Sequence, residues 1–577
     1  MAFQVSPGVL VKEVDLTNVV PAVATSIGAI AAGFSQGPVE QVVAIGSEKE
    51  LVNIFGKPNS NNFETWFTAA NFLQYGNALR VVRADTAAVN ATADGSGLKI
   101  KNETDYTDNY ADGSGSVGHW AAKWAGTWGN AIGVSICTSA ANYQETATSL
   151  TDGALAVGDT TVTVDDGTDF QVGDIVHFQE ADGSQYEVTA ISTNDLTVRQ
   201  LDNPNGGGVK SIIADGTAIR RRWKFYDLFD GAPGTSTWAS DKGLISDEMH
   251  IVVFDKTGAI TGYDSDLAGQ RTTSVLETYD FVSQAASSKR PDGSSNLYAN
   301  RMSGSQYVYW MDYPTALTEA GTDPVSGTTF TRSALPIVDA LTGGTDDNPT
   351  IGELALGYDL FADSDTVDVN LIMAGTCPAS TDGVTHATKI IDLCEARKDC
   401  VGFISPRRAD VVAVTNSATA TTNVKGFFDL LASSSYAVFD SGYKYMYDKY
   451  NDVYRYVPLN GDIAGLAANA DNVADPWFSP AGYNRGQIRG AVKLAYNPTK
   501  AQRDILYPAR INPVCTFPGQ GTVLFGDKTA LSRPSAFDRI NVRRLFIVLE
   551  KAIATAAKYQ LFEFNDDLTR RTFVNAV

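Results

Sequence analysis

The sequence predicts a multidomain α/β fold, with β-rich domains inserted, one within another, into a discontinuous α/β core. Three observations carry that expectation. At 577 residues the chain exceeds what one hydrophobic core usually organises. Strand-like and helix-like segments alternate from Ile27 to Arg83 and again after Thr350, the pattern of an α/β unit. Between these stretches, beyond Ala84, the composition shifts to Asp, Thr, Gly, Ser and Asn, and short strand signals replace the alternation. A hydrophobic fraction of 44%, with 26 Phe, 24 Tyr and 8 Trp, supplies enough apolar material for several cores and excludes a disordered chain.

In chain order, residues 1–20 read as an arm. Ser6-Pro7-Gly8 sets a turn, and Val9-Leu10-Val11-Lys12-Glu13-Val14 reads as a short strand. The core is expected over 21–85 and 335–482. Its first part holds buried strands near 27–34 and 42–45. A helix follows, opened by the capping-box spacing Ser47-x-x-Glu50 and closed by Gly56. A second helix carries Phe63, Trp66, Phe67, Ala70 and Leu73, and leads into the strand Leu79-Arg80-Val81-Val82-Arg83. Residues 86–149 and 222–334 form a mixed α/β insertion. Within it, 150–221 reads as a small β-barrel or sandwich, because strands at 160–164, 175–178, 186–191 and 196–198 are punctuated by Asp-Gly turns. The core resumes through Thr350-x-x-Glu353, a second capping box. Helix 386–397 and strand 400–404 follow, then paired strands around Asn451-Asp452. Residues 483–577 are expected as a C-terminal domain ending in a strong helix over 542–560.

The formal charge of −21 excludes a generic nucleic-acid or anionic-lipid binder, yet it is uneven. From Tyr483 onward 15 Lys+Arg stand against 7 Asp+Glu; before it, 30 stand against 59. Five Cys without metal-ligand spacing read as reduced thiols of a protein made in cytoplasm. No secretory signal is expected at the start, and residues 19–34 are too broken by Pro21 and glycines to span a bilayer.

Chemistry is sparse. His119, His177, His250 and His386 are too scattered for a local triad or metal motif, and Cys394 with Cys400 has the wrong spacing for a redox or zinc pair. Leu341-Thr342-Gly343-Gly344-Thr345-Asp346-Asp347 lacks the Lys-Ser/Thr of a phosphate loop. The reading is therefore no catalytic residues, no metal and no cofactor. One pattern stands out: Arg544, Lys551 and Lys558 recur every seven residues and share a face of the last helix, with Leu545, Ile547, Val548, Ile553 and Leu561 elsewhere. That stripe is either a docking face or an ordinary solvated one.

The C-terminal run Asn512-Pro513, Phe517-Pro518-Gly519-Gln520-Gly521, Phe525-Gly526-Asp527-Lys528-Thr529-Ala530-Leu531 and Ile540-Asn541-Val542-Arg543-Arg544-Leu545 resembles the signature of contractile-tail sheath proteins. Ser6-Pro7-Gly8-Val9, residues 33–38 and 50–58, and Leu341-Thr342-Gly343-Gly344-Thr345-Asp346 resemble the same family's opening and middle. Phe229-Asp230-Gly231-Ala232-Pro233-Gly234 and Asp247-Glu248-Met249-His250 are similar to its branch in large T-even-like myoviruses, cyanophages included.

The resemblance implies a non-enzymatic subunit that stacks as hexameric rings around a tail tube and contracts to drive the tube through a host envelope. It implies further partners in baseplate and tail-terminator proteins, no direct nucleic-acid contact and no membrane insertion. The implied location is the virion tail, assembled in host cytoplasm. By the same resemblance Val9, Leu10, Val11, Lys12, Glu13 and Val14 would add a strand to a neighbour's sheet. Arg543, Arg544, Lys551 and Lys558 would face the tube, so reversing the stripe to Glu is expected to spare the fold and weaken assembly. Family members usually continue past this helix with further strands; a chain complete at Val577 would build the inter-subunit sheet differently. The sheath of a bacterial contractile injection or bacteriocin machine, or a baseplate-associated tail protein, is the alternative reading.

Overall fold

The computed structural model describes residues 24–113, 116–203, 207–264 and 270–577. The arm strand expected at Val9–Val14 lies outside the described residues. The chain divides into two compact units: one whose described residues are 24–34, 39–85 and 348–577, and one made of 35–38 and 86–347.

The first unit is built on a seven-stranded sheet. Its order is Val42–Ile45, Leu79–Arg83, Gly28–Ala32, Leu371–Met373, Val401–Ile404, Ala437–Asp440 and Ile511–Asn512. Every pairing is parallel except that of Val42–Ile45 with Leu79–Arg83. A parallel sheet is covered on both faces, so its strands read as continuous apolar runs whose alternate residues enter two different cores. Ile30, Leu371, Phe403 and Val438 enter one core with Trp66, Phe67, Ile463 and Leu466 of the helices Phe63–Leu73 and Asn460–Val473. Ala29, Ile372, Ile404 and Phe439 enter the other, with Tyr358, Ile390 and Phe427 from the helices Ile351–Asp359, Ser380–Arg397 and Ser417–Asp429. The strand at 28 begins with glycine because a Cβ there would sit 2.6 Å from the Phe72 ring.

Local signals act as their chemistry dictates. Thr350 and Glu353 form a reciprocal capping box. At the first helix Ser47 Oγ accepts from the Glu50 amide (3.2 Å), while the Glu50 carboxylate reaches one residue further back, to the Gly46 amide (2.8 Å). Beneath the first core a fully buried ion pair joins Lys444 Nζ to Asp462 Oδ1 (2.9 Å). Tyr75 Oη donates to the same carboxylate (3.1 Å), and Lys444 also donates to the Arg489 carbonyl (2.9 Å). Two charges are taken out of water here only because each has hydrogen-bond partners.

Two expected boundaries move. The core does not resume at residue 335, because Ile337–Ala340 pairs antiparallel with Ile132–Cys137 and Thr342 and Thr345 bridge to Thr92 and Val89, all within the second unit; the return comes at Asn348. Nor do residues 483–577 stand apart, since Ile511–Asn512 is the edge strand of the seven-stranded sheet and Ile540 and Ile547 enter its core. The paired strands around Asn451-Asp452 are Tyr443–Asp448 and Val453–Pro458.

The second unit contains a six-stranded antiparallel sheet ordered Gln144–Leu150, Ala218–Arg222, Ile175–His177, Tyr186–Ser192, Asp195–Gln200 and Thr161–Thr163. It wraps a core that includes Val162, Phe178, Val188 and Leu196. A four-stranded antiparallel sheet, Val275–Ser283, Glu248–Asp255, Ile132–Cys137 and Ile337–Ala340, draws its strands from chain segments on either side of that module. The Asp255 carboxylate ties down the loop that follows, accepting from the amides of Gly258, Ile260 and Thr261, each at 2.8 Å.

One titrating contact in this unit gives a pH prediction. His119 Nδ1 lies 2.9 Å from Asp339 Oδ2, and that hydrogen bond raises the histidine pKa against the opposing effect of burial. A raised folded-state pKa contributes stability that is complete below the unfolded value, about 6.5, and is lost as pH rises through the folded value. Thermal unfolding of His119→Gln is therefore expected to show a loss of about 1 kcal/mol below about pH 6 and almost none above about pH 8. An equal loss at both pH values would contradict the assignment.

Candidate functional site

Among the described residues no His/Cys/Asp/Glu cluster is arranged to hold a metal, and no helix is long and apolar enough to cross a membrane. Each histidine is engaged locally. His386 Nε2 bonds the Ala374 carbonyl (2.8 Å), and His250 stacks on Phe229 (4.1 Å) with Nε2 on the Gly231 carbonyl (2.9 Å); burial lowers the pKa of both. His177 Nδ1 accepts from the Gln179 amide. All five cysteines are buried and unbridged.

The most distinctive surface is the helix Ile540–Lys558 with the short helix Asp567–Ala576 after it. A run of Leu, Ile, Val and Ala interleaved with Arg and Lys favours helix throughout. It carries two faces on opposite sides. On one, Ile540 and Ile547 enter the core of the first unit and draw the neighbouring cations in with them. Arg544 is 4% exposed; it donates to Asp471 Oδ2 (2.6 Å) and to the carbonyls of Ala467 (2.9 Å) and Thr25 (3.2 Å). Thr25 Oγ1 donates to the same Asp471 oxygen (2.7 Å). Arg543 lies between the rings of Tyr436 and Phe537, 4.3 and 4.1 Å from their centroids, and donates to Ser435 Oγ (2.9 Å). Lys551 pairs with Asp368. At the last residue of the helix Lys558 pairs with Asp365 at 3.3 Å, both largely exposed.

The sequence expectation of a solvent-facing basic stripe is corrected here. The seven-residue spacing does put Arg544, Lys551 and Lys558 on one face, but that face points at carboxylates of the same unit. Arg543 and Arg544 are covered, and only Lys558 keeps an exposed ammonium. Spacing reports which residues share a face; it does not report which face turns inward. That was decided by Asp365, Asp368 and Asp471, remote in sequence.

What faces solvent instead is apolar. Phe546, Leu549 and Ile553 are 39, 46 and 39% exposed and follow the i, i+3, i+7 spacing of a helical stripe. The turn beyond adds Tyr559, Leu561, Phe562 and Phe564, all exposed, and the last helix adds Leu568 and Val574. Exposed apolar side chains gathered along one helical face make this helix the candidate interaction site. Only Ile553 and Leu561 of this set are marked as apolar contacts in the sequence reading; the 546–549–553 spacing was the available signal for the rest. The first described residues, Ala24 and Thr25, lie against the same helix, at Lys551 and Arg544.

Comparison with known proteins gives the surface its context. Residues 25–84 match the model of the tail sheath protein Gp18 domain III N-terminal region, and residues 357–530 match the phage tail sheath protein central domain. Apart from residues 35–38, both matched stretches fall in the first unit, on either side of residues 86–347 in sequence. The chain is 33% identical to the tail sheath protein of Vibrio phage KVP40, over 99% of this chain and 89% of that protein. It is 32% identical to the tail sheath protein of Enterobacteria phage T4, over 98% and 88% respectively. Among solved structures it is similar to a sheath tail protein from Listeria innocua, with a TM-score of 0.46 and 10% identity, covering 96% of this chain and 85% of that one.

Proposed function

This chain belongs to the phage tail sheath protein family, a structural family, and from that premise we propose how it works. It is a structural subunit of a contractile sheath. Its copies polymerise as stacked hexameric rings around a tail tube and shorten as a sleeve, driving the tube through a host envelope. A heterologous, head-to-tail contact repeats without closing on itself, so one kind of interface is enough to build a long sleeve. The energy of contraction is stored at assembly, and the extended sleeve persists by kinetic trapping. No catalytic step is assigned to it. The site of action is the virion tail, assembled in host cytoplasm, with baseplate and terminator proteins at the ends of the sleeve. The observation that carries this reading is the 33% identity to a phage sheath over 99% of the chain; identity to phage proteins favours a phage tail over a bacterial injection machine.

Within the subunit the first unit is the sheath core, and the second is an insertion that holds the six-stranded module as a further inserted domain. The helix Ile540–Lys558 faces the tube. Arg543 and Arg544 serve to fasten it to its own unit, while Phe546, Leu549 and Ile553 on the opposite face make the contact. The arm residues Val9, Leu10, Val11, Lys12, Glu13 and Val14 add a strand to a neighbouring subunit and keep copies linked as they slide. Deleting residues 1–14 tests this last element. The expected product is a folded monomer with an unchanged unfolding transition that sediments as monomer under conditions where the full chain forms sleeves. Contractile sleeves formed by the deletion would remove the arm from the mechanism.

A further inference from the structure

A cleft of about 510 Å³ lies wholly in the second unit, and the sheath reading assigns it no role. That volume is within the range of roughly 300–1,000 Å³ typical of ligand clefts. One wall is the helix Thr237–Asp241, carrying Trp238 and Asp241. The facing wall is a tight turn in which Lys289 bridges to Ser295 and the Arg290 amide donates to the Ser294 carbonyl (2.9 Å). The lining is completed by Asp280 and Phe281 of the strand Val275–Ser283 and Glu248 of its neighbour.

Four of the polar side chains, Glu248, Asp280, Asn296 and Arg301, have partners within the protein. Arg301 Nη2 is 3.8 Å from Asp280 Oδ1, and Nη1 donates to Asn296 Oδ1 (3.4 Å); Asn296, 8% exposed, donates in turn to the Phe281 carbonyl (2.9 Å). The Glu248 carboxylate accepts from the Gly234 amide (3.1 Å). Trp238 is fixed under Lys242, whose Nζ lies 4.6 Å from the ring centroid. One lining residue is also strained. Phe281 has φ +45°, a left-handed conformation that costs a bulky non-glycine residue roughly 1–3 kcal/mol, at a point where the strand pairing shifts register between Met249 and Ile251. Its amide is pinned by His250 Nδ1 (3.1 Å). Strained residues of this kind cluster at ligand clamps and other functional sites.

The lining sets the ligand class. Carboxylates at 241, 248 and 280 are matched by cations at 289, 290 and 301, so neither a polyanion nor a polycation is favoured. Carboxylates accept from hydroxyls, guanidinium and ammonium donate to hydroxyl and ring oxygens, and an indole offers a flat apolar surface. Many neutral hydroxyls on a ring with an apolar C–H face satisfy all three. We propose that this cleft is a saccharide-binding site that takes a short stretch of a surface glycan, with Trp238 as the apolar contact and Asp241, Glu248 and Arg301 as the hydroxyl partners.

The test uses the purified full-length chain on a printed array of bacterial surface oligosaccharides. Array hits, with glucose 6-phosphate as the anionic probe, are then titrated by calorimetry against the parent chain, Trp238→Ala and Asp241→Asn. The expected result is saturable binding of a neutral oligosaccharide, weakened by roughly tenfold or more in Trp238→Ala. It should also weaken in Asp241→Asn, a near-isosteric change that checks the site should the tryptophan variant fold poorly. Three results would overturn the proposal: no saturable binding on the array, binding of the phosphorylated probe alone, or full affinity retained in both variants.

Discussion

Replacing Arg544 by Glu is expected to destabilise the unassembled chain by about 3–5 kcal/mol, the range for breaking a buried ion pair from one side. The variant removes a guanidinium that satisfies Asp471 and two carbonyls, and puts a second carboxylate against Asp471, itself only 6% exposed. Neither acid then has a cation beside it: Asp471 keeps only the Thr25 hydroxyl, and the carbonyls of Ala467 and Thr25 are acceptors. The sequence-level expectation for reversing Arg544, Lys551 and Lys558 together was an intact fold with weakened assembly; the buried Arg544–Asp471 pair predicts a folding cost instead. Lys558→Glu serves as the internal control. Its partner Asp365 is 80% exposed on its side chain, where an ion pair contributes little, so the expected change is below about 1 kcal/mol. Denaturant midpoints of the two single variants decide the matter. Equal midpoints would mean that Arg544 does not fasten the helix.

The triple variant Phe546→Gln, Leu549→Gln, Ile553→Gln is expected to abolish assembly on tubes while leaving the subunit folded. Glutamine preserves helix propensity. Each replaced side chain is already about half exposed, so the folding cost is about 1 kcal/mol apiece, whereas the apolar area available to a partner is lost altogether. The readout is co-sedimentation with purified tubes, next to a thermal unfolding curve. Normal sleeves from a folded triple variant would show that this face is not the contact. Loss of tube-free polymerisation would assign the stripe to a neighbouring copy instead of the tube.

The contrast between these two predictions shows what was legible in the sequence. Local chemistry was readable: the Thr350–Glu353 capping box, the apolar runs at 28–32 and 401–404, and the strand pair flanking Asn451-Asp452 all formed where their residues indicated. Non-local pairing was not. Ile337–Ala340 has nothing in its own composition to say that it completes a sheet with Ile132–Cys137, and Ile511–Asn512 is too short to announce itself as the edge of a sheet begun near residue 28. The C-terminal helix failed for a related reason. Its periodicity was correctly read, but the usual rule turns apolar residues inward and charges outward. Here carboxylates at 365, 368 and 471 accept the cations, and the stripe through Phe546 is left for a partner.

The most direct test of the central claim is electron microscopy of the purified chain, alone and mixed with candidate tail tubes. A subunit of a contractile sheath is expected to form striated hollow cylinders, with tubes along the axis when they are supplied. Chains that remain monomeric with and without tubes, although folded by their unfolding transition, would contradict it.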